Sequence, residues 1–167
     1  MSESLAVRLS QLGIELPASP KPGANFLPVR RVGNLLFIAG QVPVLNGVDQ
    51  FVGKLGQDIS IEAGQAAARL CAVNILAQVN HAVGGNFDRV KGCVRLGGFV
   101  NAVPDFTEHP KVLNGASDLI LRVLGDDGCH TRVAVGCNSL PRNVAVEVEA
   151  IFEIDDGAPV PSLKATT

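Results

Sequence analysis

Apolar positions along this chain alternate between helical and strand spacing. Leu5, Leu9 and Leu12 recur at i, i+4 and i+7 ahead of Gly13, which predicts a short helix over about 2–13. The stretch LPASPKPGAN, 16–25, carries Pro17, Pro20 and Pro22 and reads as an irregular connector. From Phe26 the pattern turns to β, with a short strand over Pro28–Arg31, a turn at Gly33-Asn34 and an apolar strand over Leu35–Ala39 that stops at Gly40. Asp58 and Ser60 are cap candidates for a long helix over Ile61–Ala82, ended by Gly84-Gly85. Its stripe of Ile61, Ala68, Ala72, Ile75 and Val79, with Ala66, Ala67 and Ala77 beside it, predicts close packing on a sheet. Residues 90–103 read as a long strand bent at Gly97-Gly98, followed by a second helix over Lys111–Leu124 that ends at Gly125. Thr131–Asn138 and Asn143–Ile154 then read as a closing hairpin around Leu140-Pro141.

The order β-β-α-β-α-β-β predicts an α+β fold in which two main helices cover one face of a mixed sheet. The other face stays bare, and a bare apolar face is expected to become a subunit interface. On this reading residues 1–24 are an N-terminal helix and connector, 25–155 the domain and 156–167 a loose tail.

Composition narrows the function classes. The 167 residues are 47% hydrophobic and 18% charged, too apolar for a disordered chain. No apolar run approaches the ~18 residues that span a bilayer, and the charged N-terminus reads as an amphipathic helix rather than a signal peptide. A soluble cytoplasmic protein is the resulting expectation. A net charge of −2, 4% aromatic residues and scattered Lys and Arg give no basic stripe or stacking platform, which argues against nucleic acid. Cys71, Cys93, Cys129 and Cys137 form no Cys-x-x-Cys pair and are expected as buried reduced thiols.

No P-loop, nucleophile elbow or metal-spaced histidine pair is present, so candidate chemistry rests on charged residues within β structure. Alternation along the expected hairpin places Arg132, Ala134 and Gly136 on one face of its first strand. Glu147, Glu149 and Glu153 share one face of the second. A two- or four-residue turn sets Arg132 opposite Glu149 with Glu147 on the diagonal, above a floor left open by Ala134 and Gly136. Two readings stay open: a solvated ion-pair face, or a guanidinium clamp for a carboxylate beside a glutamate that handles water. Asn114 reads either as a turn or cap residue near a helix start or as a site residue. His81 is expected exposed at a helix end, His109 in a loop before a proline, and His130 beside Cys129 without enough ligands for zinc.

At these residues the chain resembles the reactive-intermediate deaminase (RidA/YjgF) family over about Asn25–Glu153. The pieces that match are GNLLFIAGQVP from Gly33 to Pro43, the long helix, Asn114-Gly115-Ala116-Ser117, Arg132 eight residues before Leu140-Pro141, and Val146-Glu147-Val148-Glu149-Ala150. The KLGQD segment, the NGAS run and the N-terminal extension resemble a less characterised branch. The resemblance implies a chorismate-mutase-like fold, a homotrimer with clefts between subunits, and hydrolysis of 2-imino acids to 2-keto acids and ammonia without metal or organic cofactor. It implies that Arg132 binds the substrate carboxylate, that Glu147 orients the attacking water, that Glu149 is the structural partner and that Asn114 lies in the cleft. It also sets Phe26 where the family has a cleft tyrosine, Ala39 where it has a serine before Gly40, and Ala134 where it has a cysteine. These departures imply a drier pocket. A module that binds small carboxylates without turnover is the alternative, followed by an RNA-cleaving or translation-inhibiting role.

Overall fold

Two long helices lie on one face of a five-stranded mixed sheet in the computed structural model, which describes residues 4–18 and 25–155. A short helix α1 (Leu5–Gln11) is capped by Ser4, whose hydroxyl accepts from the Val7 N–H. It is shorter than the periodicity predicts because the chain turns at Leu12-Gly13. Strands β1 (Val29–Val32) and β2 (Leu35–Gln41) form the hairpin turned by Gly33-Asn34, and a small hairpin of β3 (Val44–Leu45) and β4 (Val48–Asp49) follows. Next come α2 (Ile61–Ala82), β5 (Val90–Asn101), α3 (His109–Leu124), β6 (Thr131–Cys137) and β7 (Val146–Ile154). Residues 19–24 of the connector and the expected tail 156–167 lie outside the described residues.

The ends of α2 follow from local chemistry. Ser60 accepts from the Ala63 N–H at the start, and Gly84 and Gly85 take the left-handed backbone that stops the helix. Every residue from Cys71 to Val79 is buried, because α2 packs on β2 and β7, beside α3 and against β3. Buried all round over this stretch, the helix needs no single apolar stripe there, and small Ala72 and Ala77 fit among its neighbours. The core is continuous from Leu36 and Ile38 through Ile75 and Val79 to Leu113, Ile120, Val148 and Phe152.

The sheet order β1-β2-β7-β5-β6 overturns the expected closing hairpin. β6 pairs in parallel with β5, and β7 enters between β2 and β5, antiparallel to both. Two physical reasons account for this. The crossover through α3 returns β6 alongside β5 in the same direction, as a β-α-β unit requires. β7 buries Val146, Val148, Ala150, Phe152 and Ile154, whereas every residue of β6 is exposed or half-buried, so β7 fits the centre and β6 the edge. The expected bend at Gly97-Gly98 is also displaced, since the register shifts of β5 fall at Val90/Gly92 and Cys93/Arg95.

The face away from the helices carries Phe37, Val133 and Val135, each about two-fifths exposed, with the Arg95–Glu149 ion pair among them. Among the described residues no helix is long and apolar enough to cross a membrane.

Candidate functional site

Arg132 stands on β6 in register with Leu96 and, beyond it, Ala150, both buried under the helices. Its side chain therefore points to the helix side of the sheet. The guanidinium Nη1 donates to Ser117 Oγ at 3.0 Å and Nη2 to the Pro110 carbonyl at 3.2 Å, both on α3. Pro110, Asn114 and Ser117 are spaced i, i+4 and i+7, so Asn114 lies on the same helix stripe, between the two contacts of Arg132. It is an interior residue of α3, which removes the cap-or-turn alternative. Ala134 follows on the same face of β6, half-buried against the core.

Glu147 is elsewhere. It is in register with Phe99, which pairs with Val135, so its carboxylate belongs to the open face. The expectation that Arg132 shares a face with Glu147 and Glu149 is therefore corrected: β5 separates the two strands and the sheet separates the side chains. Glu149 pairs with Arg95 at 2.8 Å, and Asn34 donates to Glu153 at 2.9 Å. Glu147 folds over Gly40, where an added Cβ would sit 2.9 Å from the Glu147 carboxyl carbon. The carboxylate occupies the space a Cβ at this position would take, so any other residue here would displace it. Ala39 neighbours it on β2, and its N–H donates to the carbonyl of Pro28, two residues from the exposed Phe26.

The residues singled out from the sequence thus fall into two groups. Arg132, Asn114 and Ala134 gather at the β6 edge beside α3. Phe26, Ala39, Gly40 and Glu147 lie toward β1, β2 and β7. From β6 to β1 there are four strand spacings, about 19 Å.

Burial raises the pKa of Glu147, Arg142 nearby lowers it, and Glu149 adds to the rise. Arg142 follows Pro141 with a left-handed backbone (φ 55°) and holds Asp49 with two hydrogen bonds of 2.7 and 2.9 Å. Asp49 is correspondingly kept below its ordinary value, chiefly by that hydrogen bond. A carboxylate whose folded pKa is raised contributes stability below its unfolded pKa and loses it as pH rises through the folded value. Glu147→Gln is therefore expected to raise the urea midpoint at neutral pH. The gain should vanish at pH values below the ordinary carboxylate range, and an equal gain at both would rule out titration of Glu147 as the cause.

Ser117 and His130, which the sequence offers only as part of the Asn114–Ser117 run and as a poor zinc ligand, meet in the structure. The Ser117 hydroxyl lies 2.9 Å from His130 Nε2, and His130 Nδ1 lies 2.6 Å from the Gly128 carbonyl. The signal was present in spacing: Ser117 is three residues after Asn114 on a helix, and His130 two before Arg132 on an extended segment. His81 is exposed as expected, whereas His109 opens α3 instead of occupying a loop. Cys71 and Cys93 are buried, and desolvation pushes the Cys93 thiol up to about 12. Cys137 is half-buried, and Cys129 is exposed, against expectation, on the turn after Gly128. Among the described residues no three His, Cys, Asp or Glu side chains gather where they could hold a metal ion.

This sheet order with two helices on one face is the chorismate-mutase-like α+β class, and the comparisons agree. The family model described as "YjgF/chorismate_mutase-like, putative endoribonuclease" matches residues 6–154, and the chain belongs to that family. Protein TCP17 of Trypanosoma cruzi is 44% identical over 156 residues, 93% of this chain and 97% of its own. The crystal structure of Atu1372 from Agrobacterium tumefaciens, whose function its description gives as unknown, is 46% identical. It superposes with a TM-score of 0.85 over 90% of this chain and 92% of its own. A Shewanella oneidensis protein described as "a putative endoribonuclease" is 36% identical, with a TM-score of 0.87 over 91% of this chain and 100% of its own.

Proposed function

We propose that the protein hydrolyses small carboxylate-bearing imines to 2-keto acids and ammonia, at a site completed by two copies of the chain. The state of Arg132 carries this reading. It is exposed and held by two neutral oxygens, and no carboxylate lies within ion-pair distance of it among the described residues. Arg89, Arg95 and Arg142, by contrast, are each paired with an acid. The guanidinium keeps free N–H groups that can grip an incoming carboxylate in a two-pronged contact.

Glu147 supplies the complementary chemistry. A half-buried carboxylate with raised proton affinity can take a proton from water as its oxygen adds to the C=N carbon. That proton passes to nitrogen to give the carbinolamine, and transfer of the hydroxyl's remaining proton to nitrogen through the same carboxylate then expels ammonia as the C=O bond forms. Within one chain Arg132 and Glu147 lie on opposite faces of the sheet, so a site holding both draws them from different copies. The exposed Phe37, Val133 and Val135 provide apolar surface for such an assembly, and a homotrimer is the one we propose.

Binding of a small carboxylate without turnover is a second reading. It is favoured by Phe26, Ala39 and Ala134, which offer the substrate no hydroxyl or thiol. RNA cleavage has less support, given the net charge of −2 and the few aromatic residues.

One experiment separates these readings. Imines are generated in situ from several amino acids by an oxidase, and keto-acid release is compared with the spontaneous rate. Release above that rate is the expected outcome. Saturable 2-keto acid binding with no acceleration points to the second reading, and neither result leaves both without support. Light scattering during size exclusion should give the mass of three chains, and a stable monomer would remove the shared site.

A further inference from the structure

We propose that Ser117 is an activated nucleophile that accepts acyl groups from small esters, with His130 as its base and Arg132 as the donor to the developing oxyanion. The hydrogen bonds admit one arrangement for a neutral imidazole. The Gly128 carbonyl can only accept, so His130 Nδ1 carries the proton and Nε2 presents its lone pair. The Ser117 hydroxyl then donates to Nε2 across 2.9 Å, while Arg132 Nη1 donates to the same Oγ across 3.0 Å. Nucleophile, base and orienting group are thus linked within hydrogen-bond reach, with a backbone carbonyl in the place where other hydrolases use a carboxylate.

The framework around them is stiff. Ser117 projects from α3, and Gly128 presses so closely on that helix that an added Cβ would sit 2.8 Å from the Ile120 carbonyl oxygen. The carbonyl that fixes His130 is held by this contact. Ser117 itself is only 7% exposed, and the exposed Arg132 side chain covers its hydroxyl. Movement of that side chain opens the way to Oγ and leaves its N–H groups beside the reacting carbonyl.

The reaction is redox-neutral. Oγ attacks the ester carbonyl carbon as its proton moves to Nε2, and the carbonyl electron pair shifts to oxygen beside the guanidinium. Collapse expels the alkoxide, which takes the proton from His130. Water, deprotonated by Nε2, then cleaves the acyl-serine to a carboxylic acid and restores the hydroxyl. Arg132 serves both reactions, but neither Ser117 nor His130 takes part in the proposed imine hydrolysis, so substitutions at those two residues test the acyl transfer separately from it.

The test treats the full chain with p-nitrophenyl acetate and follows nitrophenol release together with peptide mass. Trypsin yields the peptide VLNGASDLILR, residues 112–122, whose one hydroxyl belongs to Ser117 and which holds no Cys or Lys. An acetyl group on that peptide is expected, absent in Ser117→Ala and formed about 100-fold more slowly in His130→Ala. Acetylation confined to Cys129, an unlabelled 112–122 peptide, or an unchanged rate in His130→Ala would overturn the proposal. Labelling of the unsubstituted protein decides the matter even where a variant is unstable.

Discussion

Arg132→Ala is expected to lower imine hydrolysis at sub-saturating substrate by about two orders of magnitude. A two-pronged contact between guanidinium and carboxylate replaces two charge-assisted hydrogen bonds to water, each worth about 1.5–3 kcal/mol. The clamp lies at an exposed edge strand, so the lower part of that range applies to the pair taken together, near 3 kcal/mol and about 100-fold. The loss should fall on substrate binding first, since the arginine grips a carboxylate that does not change during the reaction. Arg132→Lys should recover little of it. A lysine has one ammonium group where the arginine divides its donors between the Ser117 hydroxyl, the Pro110 carbonyl and a ligand. Stability provides the control: Arg132 is exposed and has no ion pair among the described residues, so the unfolding free energy from urea titration should change by no more than about 0.5 kcal/mol. A variant that folds normally and hydrolyses imines at the unsubstituted rate would remove Arg132 from the site.

Elements whose ends are set by local chemistry were legible from the sequence. Ser60 and the Gly84-Gly85 pair bound α2 through hydrogen bonds and backbone conformations that involve only near neighbours. The placement of β6 and β7 was not legible in this way. Both alternate apolar and polar residues, and period alone does not say which strand each one pairs with. What decides it is the α3 crossover together with the apolar demand at the sheet centre, which Phe152 and Ile154 meet and Arg132 and Gly136 do not. The eight residues 138–145 between the two strands are themselves longer than a tight hairpin turn.

The candidate site inherits this difference. Arg132, Asn114 and Glu147 were visible as residue types at given positions, but their faces depend on pairing. Paired with β7, Arg132 would stand among the glutamates; paired with β5, it stands on the other face. Ser117 and His130 were harder to see, because a helix residue and a residue just ahead of a strand meet only once α3 lies across β6.

Gly115→Ala is expected to destabilise the fold by about 3 kcal/mol, although alanine is the better helix former by about 1 kcal/mol. The added methyl group would sit 2.7 Å from the Gln65 carbonyl carbon and 2.9 Å from its Cα. Those atoms are the backbone of α2, so no side chain can rotate away and the two helices must separate. Gln65 Nε2 donates to the Lys111 carbonyl at 2.9 Å across the same contact, and that bond would stretch too. Val112, Leu113 and Ala116, none of them exposed, would lose contact with the core. Overpacking costs about 1–3 kcal/mol where neighbours can adjust, and a backbone obstacle places this case at the upper end. The urea midpoint should fall with the slope of the transition unchanged. A variant of equal or greater stability would mean that α3 moves outward at little cost. The 3.0 Å hydrogen bond from Arg132 to Ser117 would then be a consequence of adjustable packing, and α3 could not fix the direction in which Arg132 presents its charge.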